Sequence, residues 1–314
     1  MTRYAYLGPE GTFTQMALQA WRPAEGQEHV AHGSVDGALA ALRAGDIDAA
    51  VVPIENSVEG GVSATLDALA SGDPLLVTGE VLVPITFVLA ARRGTTLADV
   101  ATIGTHSHAW AQVRGWAQAH APEATYVPTL STAAAAAALG GDGTDEGGQA
   151  PFDAAVCAPV AAADHDLEVL AEGIGDMASA VTRFVVVSRP DWLPRPTGFD
   201  KTTVVLYQRS DRAGGLLELL EQLAARGINM TRLESRPTKE EMGSYCFSID
   251  LEGHVADARV GEALMSLHRV CAQVRFLGSY PAANGQAVSV DPLTADDAFE
   301  EAEGWLAQLR GLAR

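Results

Sequence analysis

Two short tracts hold most of the reactive groups that this sequence could bring together. Thr182-Arg183-Phe184 opens an apolar run that continues to Val187, and Pro53-Ile54-Glu55-Asn56-Ser57 follows another, Ile47–Val52. In an extended chain successive side chains alternate faces, so Thr182 and Phe184 share one side and Arg183 turns to the other. Ligands of open α/β sheets gather beyond the carboxyl ends of strands, which is where the second tract falls. The chain thus supplies a hydroxyl beside an aromatic ring, the Glu55 carboxylate, the Asn56 amide and the Ser57 hydroxyl. That inventory suits proton management on a small polar molecule. Arg183 is suited either to a substrate carboxylate, held bidentately, or to a structural ion pair on the far face. Phe184 either walls a cleft or packs in the core. His106 and His108 lack Cys or acidic neighbours at ligand spacing, so no metal is expected. Gly8-Pro9-Glu10-Gly11 lacks the G-x-G-x-x-G spacing and a following Lys, so neither a dinucleotide nor a P-loop is expected. Thr12 and Phe13, just after that turn, remain candidates for a binding site. His106 could donate to a ligand or cap the helix that starts near Ala109. Gln112 lies on that helix and faces either ligand or solvent. Ser131 and Thr132 precede an alanine run, Ala133–Ala138, and read as its cap, with free N–H groups available to an anion.

The elements that must position these groups follow from hydrophobic periodicity. Residues 1 to about 190 alternate apolar runs with Ala-rich helical stretches, and the candidate strands are Arg3–Leu7, Ile47–Val52, Ile85–Ala90, Thr102–Gly104, Thr125–Val127, Ala154–Cys157 and Arg183–Val187. That alternation predicts an α/β layer fold with a largely parallel sheet. Asp142–Gln149 reads as an exposed loop, and Pro190, Pro194 and Pro196 mark a linker. Beyond it, strand Thr202–Gln208, helix Gly214–Arg226, strands Ile228–Glu234 and Tyr245–Leu251, helix Ala258–Leu267 and strand Val274–Leu277 give the order βαββαβ, a ferredoxin-like unit. A tail helix with Phe299, Ala302, Leu306 and Leu309 on one stripe should pack on the body or on a partner subunit.

The chain has 314 residues and a formal net charge of −19. Such a charge repels a polyanion, so no nucleic-acid partner is expected. No apolar run reaches the roughly 20 residues of a membrane span, and the N-terminus has no signal-peptide pattern. The scattered Cys157, Cys246 and Cys271 suggest a reducing compartment, so the expected location is the cytoplasm.

Four tracts in order, Tyr6-Leu7-Gly8-Pro9-Glu10-Gly11-Thr12-Phe13-Thr14, Pro53–Gly60, Thr182-Arg183-Phe184 and Glu234-Ser235-Arg236-Pro237, resemble bacterial prephenate dehydratase with a C-terminal ACT regulatory domain. The resemblance implies a two-lobed catalytic domain like periplasmic binding proteins over 1–190, with the second lobe at about 79–171. It places a linker at 191–200, an ACT domain at 201–282 and a tail at 283–314. It implies conversion of prephenate to phenylpyruvate with loss of carbon dioxide and the ring hydroxyl, without a cofactor. Thr182 would be the catalytic threonine, with Arg183, Phe184 and a proton-donating carboxyl group, Glu55 or Glu59, beside it. Thr12, Phe13, Asn56, Ser57, His106, Gln112, Ser131 and Thr132 would bind substrate. Phenylalanine would bind as effector near Gly214, Gly215, Leu216, Asn229, Glu234 and Ser235, in a homodimer or homotetramer. Thr105-His106-Ser107-His108 departs from the family's Ser-His-Pro-Gln, and Gly214-Gly215-Leu216-Leu217 from its Gly-Ala-Leu-Val. Arogenate dehydratase and a non-catalytic small-molecule sensor are the alternative functions.

Overall fold

The computed structural model describes residues 1–140, 150–177, 179–239 and 244–312; the expected loop Asp142–Gln149 lies outside them. Among the described residues, no helix is long and apolar enough to cross a membrane. The chain divides into two compact units, 1–62 with 81–184, and 63–80 with 185–314.

The first unit begins with β1 (Arg3–Leu7), α1 (Phe13–Ala20), β2 (Glu28–His32), α2 (Val35–Ala44), β3 (Ala49–Asn56) and β4 (Gly60–Gly61). Helix α2 shows why the sequence folds locally as it does. Ser34 Oγ caps it by accepting from Gly37 N, and Gly45 ends it in the left-handed region at φ 83°, where a side chain is disfavoured. Its stripe of Val35, Ala38, Leu39 and Leu42 is buried. Strand β3 is buried continuously from Ala49 to Val52, and α1 and α2 both contact it and β1. Strands β2 and β3 both run parallel to β1.

Next in the chain come α3 (Ser63–Ala70) and β5 (Leu76–Pro84), then the second lobe: β6 (Val88–Ala91), β7 (Thr102–Thr105), α4 (Ser107–His120), β8 (Thr125–Pro128), α5 (Thr132–Gly140), β9 (Ala154–Cys157), α6 (Pro159–Asp164) and β10 (Glu168–Ala171). Strand β11 (Val181–Ser188) follows. The first-lobe sheet is ordered β2-β1-β3-β11-β5, with β4 on β3; the second-lobe sheet is ordered β10-β6-β9-β7-β8. In the second lobe, β7 is parallel to β8 and β9, while β6 is antiparallel to β9 and β10. The sheet is therefore mixed rather than largely parallel. Ile85 and Phe87, expected in a strand, precede β6.

The second unit contains β12 (Asp200–Tyr207), α7 (Gly215–Ala224), β13 (Met230–Pro237), β14 (Tyr245–Glu252), α8 (Ala258–Val270), β15 (Gln273–Pro281) and α9 (Asp296–Gly311). Its sheet has the order β13-β14-β12-β15, with antiparallel neighbours, as the βαββαβ pattern requires. Val204, Leu206, Leu219, Leu223, Ile249, Val260 and Leu267 form its core. The unit also takes in 63–80. Asp67 on α3 pairs with Arg236 at 2.9 Å and Lys239 at 2.7 Å. Tyr207 donates to Ala70 O, Arg275 caps the carbonyls of Ser71, Gly72 and Asp73, and Lys201 pairs with Glu80. Helix α9 meets α8 near its start, where Asp296 accepts from Ala258 N and Phe299 is half-buried, while Leu306 and Leu309, later on the stripe, face solvent beside Trp305.

Candidate active site

Strands β3 and β11 are neighbours in the sheet, and this joins the two tracts. The Asn56 amide nitrogen donates to Thr182 Oγ at 2.8 Å across 126 residues of sequence. The orientation of that amide is fixed from its other end. Asn56 Oδ1 accepts from Val58 N at 2.8 Å and from Glu59 N at 3.1 Å, so its oxygen lies on the turn and its NH2 on Thr182. A threonine oxygen that accepts such a bond keeps its own proton to donate elsewhere, and accepting strengthens that donation.

Thr182 and Phe184 line a cleft of about 330 Å³ with Thr12, Phe13, Pro53, Asn56, Glu59, His106, His108, Gln112, Ser131 and Thr132. Alternation along β11 sends Arg183 elsewhere. It is buried, and Nη1 donates to Glu55 Oε2 at 3.2 Å. Glu55 and Arg183 are therefore paired with each other, and neither lines the cleft. Ser57 is not at the lining either: its Oγ accepts from Val181 N, and its own N–H donates to Val181 O, both at 2.9 Å. Those two bonds lock the turn after β3 onto the start of β11.

Three helix starts border the cleft. Thr12 caps α1, accepting from Gln15 N and donating to Leu7 O. Its hydroxyl is thereby committed, which leaves the backbone at the start of α1 for a ligand. His106 caps α4 by accepting from His108 N at Nδ1, so its proton lies on Nε2. Ser131 Oγ accepts from Ala134 N at the start of α5. No lysine or arginine is among the described residues that line the cleft. Any anion entering there would meet N–H groups and the positive ends of α1, α4 and α5 rather than a side-chain cation.

The lining also holds Ile85, Phe87, Val62 and Leu130, which no reactive-group argument singles out. Phe87 meets Phe13 edge to face, with centroids 5.7 Å apart and planes at 86°. The only hint of its place is the apolar run that it shares with Ile85. Glu59 bridges to the second lobe: Oε2 lies 2.9 Å from His108 Nδ1 and Oε1 accepts from Gln112 Nε2 at 3.1 Å.

Residues 4–191 match the family model described as prephenate dehydratase, and residues 202–269 match the ACT domain. The chain belongs to the prephenate dehydratase family. It is 46% identical over 311 residues to a prephenate dehydratase of Amycolatopsis methanolica, covering 99% of this chain and 98% of the relative. The crystal structure of an Arthrobacter aurescens prephenate dehydratase in complex with L-Phe superposes with a TM-score of 0.92 at 51% identity, covering 99% of this chain and 100% of that one. A structure described as GqqA, a novel type of quorum quenching acylase, matches with a TM-score of 0.76 at 32% identity, over 89% of this chain and 98% of that one. Function within such a fold is therefore to be argued from the site.

Burial lowers the pKa of His106, with the neighbouring His108 charge acting in the same direction and Glu59 opposing both. The imidazole should be neutral at pH 7. An NMR titration of His106 in the folded protein should show a midpoint below the ordinary histidine value of about 6.5. Because the unfolded chain takes up this proton first, the histidine costs stability as pH falls below that value. A midpoint at or above the ordinary value would contradict the placement.

Proposed function

We propose that the cleft converts prephenate to phenylpyruvate, on the route to phenylalanine, with Thr182 as the catalytic hydroxyl. The observation that carries this is the Asn56–Thr182 hydrogen bond, which leaves the Thr182 hydroxyl, at the cleft lining, its own proton to donate. In the reaction the ring carboxylate leaves as carbon dioxide. Its bonding pair enters the ring, and the ring hydroxyl departs as hydroxide. That oxygen takes up one proton from exchangeable groups and leaves as water. Aromatisation supplies the driving force, so no strong base is needed. What the site must do is hold a dianion and stabilise the oxygen as negative charge develops on it. A preorganised donor in a dry site acts on that charge without reorganising. Glu55 is engaged by Arg183, so it is not the carboxyl group that serves this oxygen.

The substrate carries two carboxylates, and the chain carries a net charge of −19. At physiological salt, charges beyond about 8 Å are largely screened, so local N–H groups decide binding. The starts of α1, α4 and α5, the neutral His106 and Gln112 supply those groups without a competing fixed cation. A protein of this kind, with Cys157, Cys246 and Cys271 buried and unpaired, belongs in the cytoplasm.

L-Phenylalanine is the effector that we assign to the ACT domain, supported by the bound L-Phe of the Arthrobacter relative. Gly214 adopts φ 82° and starts α7, and a Cβ on Gly215 would come within 2.6 Å of Gln208 Nε2. Only Gly214 is held to glycine by its conformation, since Gln208 can give way at Gly215, and bare backbone at Gly214 can approach an amino acid closely. Glu234 and Ser235 lie on β13, a sheet-edge strand, where a second copy can pair. The ligand would then sit at an interface in a homodimer or homotetramer, with Leu216 and Asn229 beside it. Arg236 follows Ser235 directly and grips Asp67 on α3, which gives the effector strand a hold on the segment that follows the Asn56 turn.

Removing the hydroxyl in Thr182→Ala should lower kcat on the order of a hundredfold or more with a modest change in KM. Thr182→Ser should keep far more activity. Phenylpyruvate absorbance after addition of prephenate reads both, and a near-normal kcat for Thr182→Ala would remove the assignment. For the effector, Glu234→Ala should leave kcat/KM unchanged without phenylalanine while raising the phenylalanine concentration needed for half inhibition by about tenfold, equivalent to roughly 1.4 kcal/mol. Unaltered inhibition would place the effector elsewhere.

A further inference from the structure

The Glu59 carboxylate spans the cleft between the lobes. Glu59 sits in the turn between β3 and β4 of the first lobe, whereas His108 and Gln112 lie on the first turns of α4 in the second. The two partners are four residues apart, so they share one face of the helix. Each takes one carboxylate oxygen, at 2.9 Å and 3.1 Å. The Glu59 N–H, in turn, donates to the Asn56 oxygen whose amide end holds Thr182. A single residue therefore links α4 to the group that orients the reactive hydroxyl. At its far side α4 is anchored separately: Gln112 O accepts from Asp176 N at 2.7 Å, and the Asp176 carboxylate accepts from Gly115 N and Trp116 N, both at 2.9 Å.

We propose that Glu59 is a positioning residue, a clasp that sets the separation of the lobes at the cleft. A carboxylate in a site for a dianion is otherwise unfavourable, because like charges repel at contact distance. Pairing with His108 and Gln112 gives it a structural task that offsets this cost. The clasp has a second effect, since it draws the 56–59 turn toward α4 and keeps Asn56 Oδ1 on the Val58 and Glu59 N–H groups. Substrate binding thereby becomes coupled to the geometry of Thr182.

This inference rests on the dehydratase reading for its kinetic readout and on hydrogen exchange for a readout independent of it. The test uses the full-length chain. His108 is largely exposed, and exposed pairs are worth at most about 1 kcal/mol, so Glu59→Ala should raise KM for prephenate by up to about fivefold while kcat falls less than that. Glu59→Ala also separates the clasp from a simple charge effect, because alanine removes both the charge and the acceptor. Removing a negative charge that merely repelled the dianion would lower KM, whereas loss of the His108 pair should raise it. His108→Ala should match Glu59→Ala, the double variant should be no worse than either, and His108→Gln should recover most of the loss. In parallel, Glu59→Ala should speed amide exchange in 57–62 and in the first turns of α4, with the melting temperature unchanged. A lower KM in Glu59→Ala, effects of Glu59→Ala and His108→Ala that multiply, or unchanged exchange would overturn the clasp. If the wild-type chain did not turn over prephenate, the dehydratase reading would fail, and the exchange result alone would decide the clasp.

Discussion

An amide that donates to a hydroxyl is the contact around which the first unit is arranged. Asn56 and Thr182 lie 126 positions apart, so their hydrogen bond exists only if β3 and β11 are neighbours. The fold meets this condition by sending the chain through the whole second lobe before β11 returns beside β3. Two further bonds between Ser57 and Val181 hold the strand ends in step. On β11, alternation then sets Thr182 and Phe184 toward the cleft and Arg183 toward Glu55. A charged pair is thereby kept off the cleft face. An arginine beside Thr182 would compete for the developing negative oxygen and bind the ground-state dianion tightly, and ground-state binding does not raise kcat.

For the proposed reaction, anion recognition without fixed side-chain cations would follow from the same layout. Helices α1, α4 and α5 start at the cleft because each follows a strand of its lobe at the carboxyl end. Their caps are made by local side chains, Thr12, His106 and Ser131, so the remaining N–H groups stay available. Each helix end contributes about 0.3 to 1 kcal/mol toward a nearby negative charge, more when partly buried. Several such contributions at contact distance outweigh a screened net charge spread over the surface of the chain.

The sequence shows the chemistry more clearly than the architecture. Thr182, Asn56, His106, Gln112 and Ser131 are legible because hydroxyls, amides and caps sit next to apolar runs, and the structure brings them to one cleft. Pattern alone ends strand β3 at Val52, because Pro53 and Glu55 read as a strand end, yet the strand runs to Asn56. Its last residues are held by pairing with β4, which no local pattern reveals. Strand β2, Glu-His-Val-Ala-His, lies at a sheet edge with little burial, so periodicity gives no signal. Strand β5 carries Gly79 and Glu80 in its middle; the glutamate is buried because Lys201 neutralises it. That partner lies 121 residues away. Ser57 looks like a ligand donor in the sequence, but it lies outside the cleft lining, with its Oγ accepting from Val181 N. Nor does any spacing rule foretell that Asp67 meets Arg236 and Lys239, or that Glu59 meets α4, since both are tertiary pairings of ordinary surface residue types.

In the proposed mechanism Asn56 acts on the reaction through the Thr182 hydroxyl. Asn56→Asp isolates this, because the remaining oxygen can still accept from Val58 and Glu59 while the donor to Thr182 is lost. With an acceptor beside it, the hydroxyl would donate to the introduced carboxylate instead of to the departing oxygen. The direct measurement is a double-mutant cycle on kcat with Asn56→Asp and Thr182→Ala. Residues that act as a unit are non-additive, so Asn56→Asp should cost about as much as Thr182→Ala, and the double variant no more than either. A near-normal kcat for Asn56→Asp, or two losses that multiply, would contradict the account.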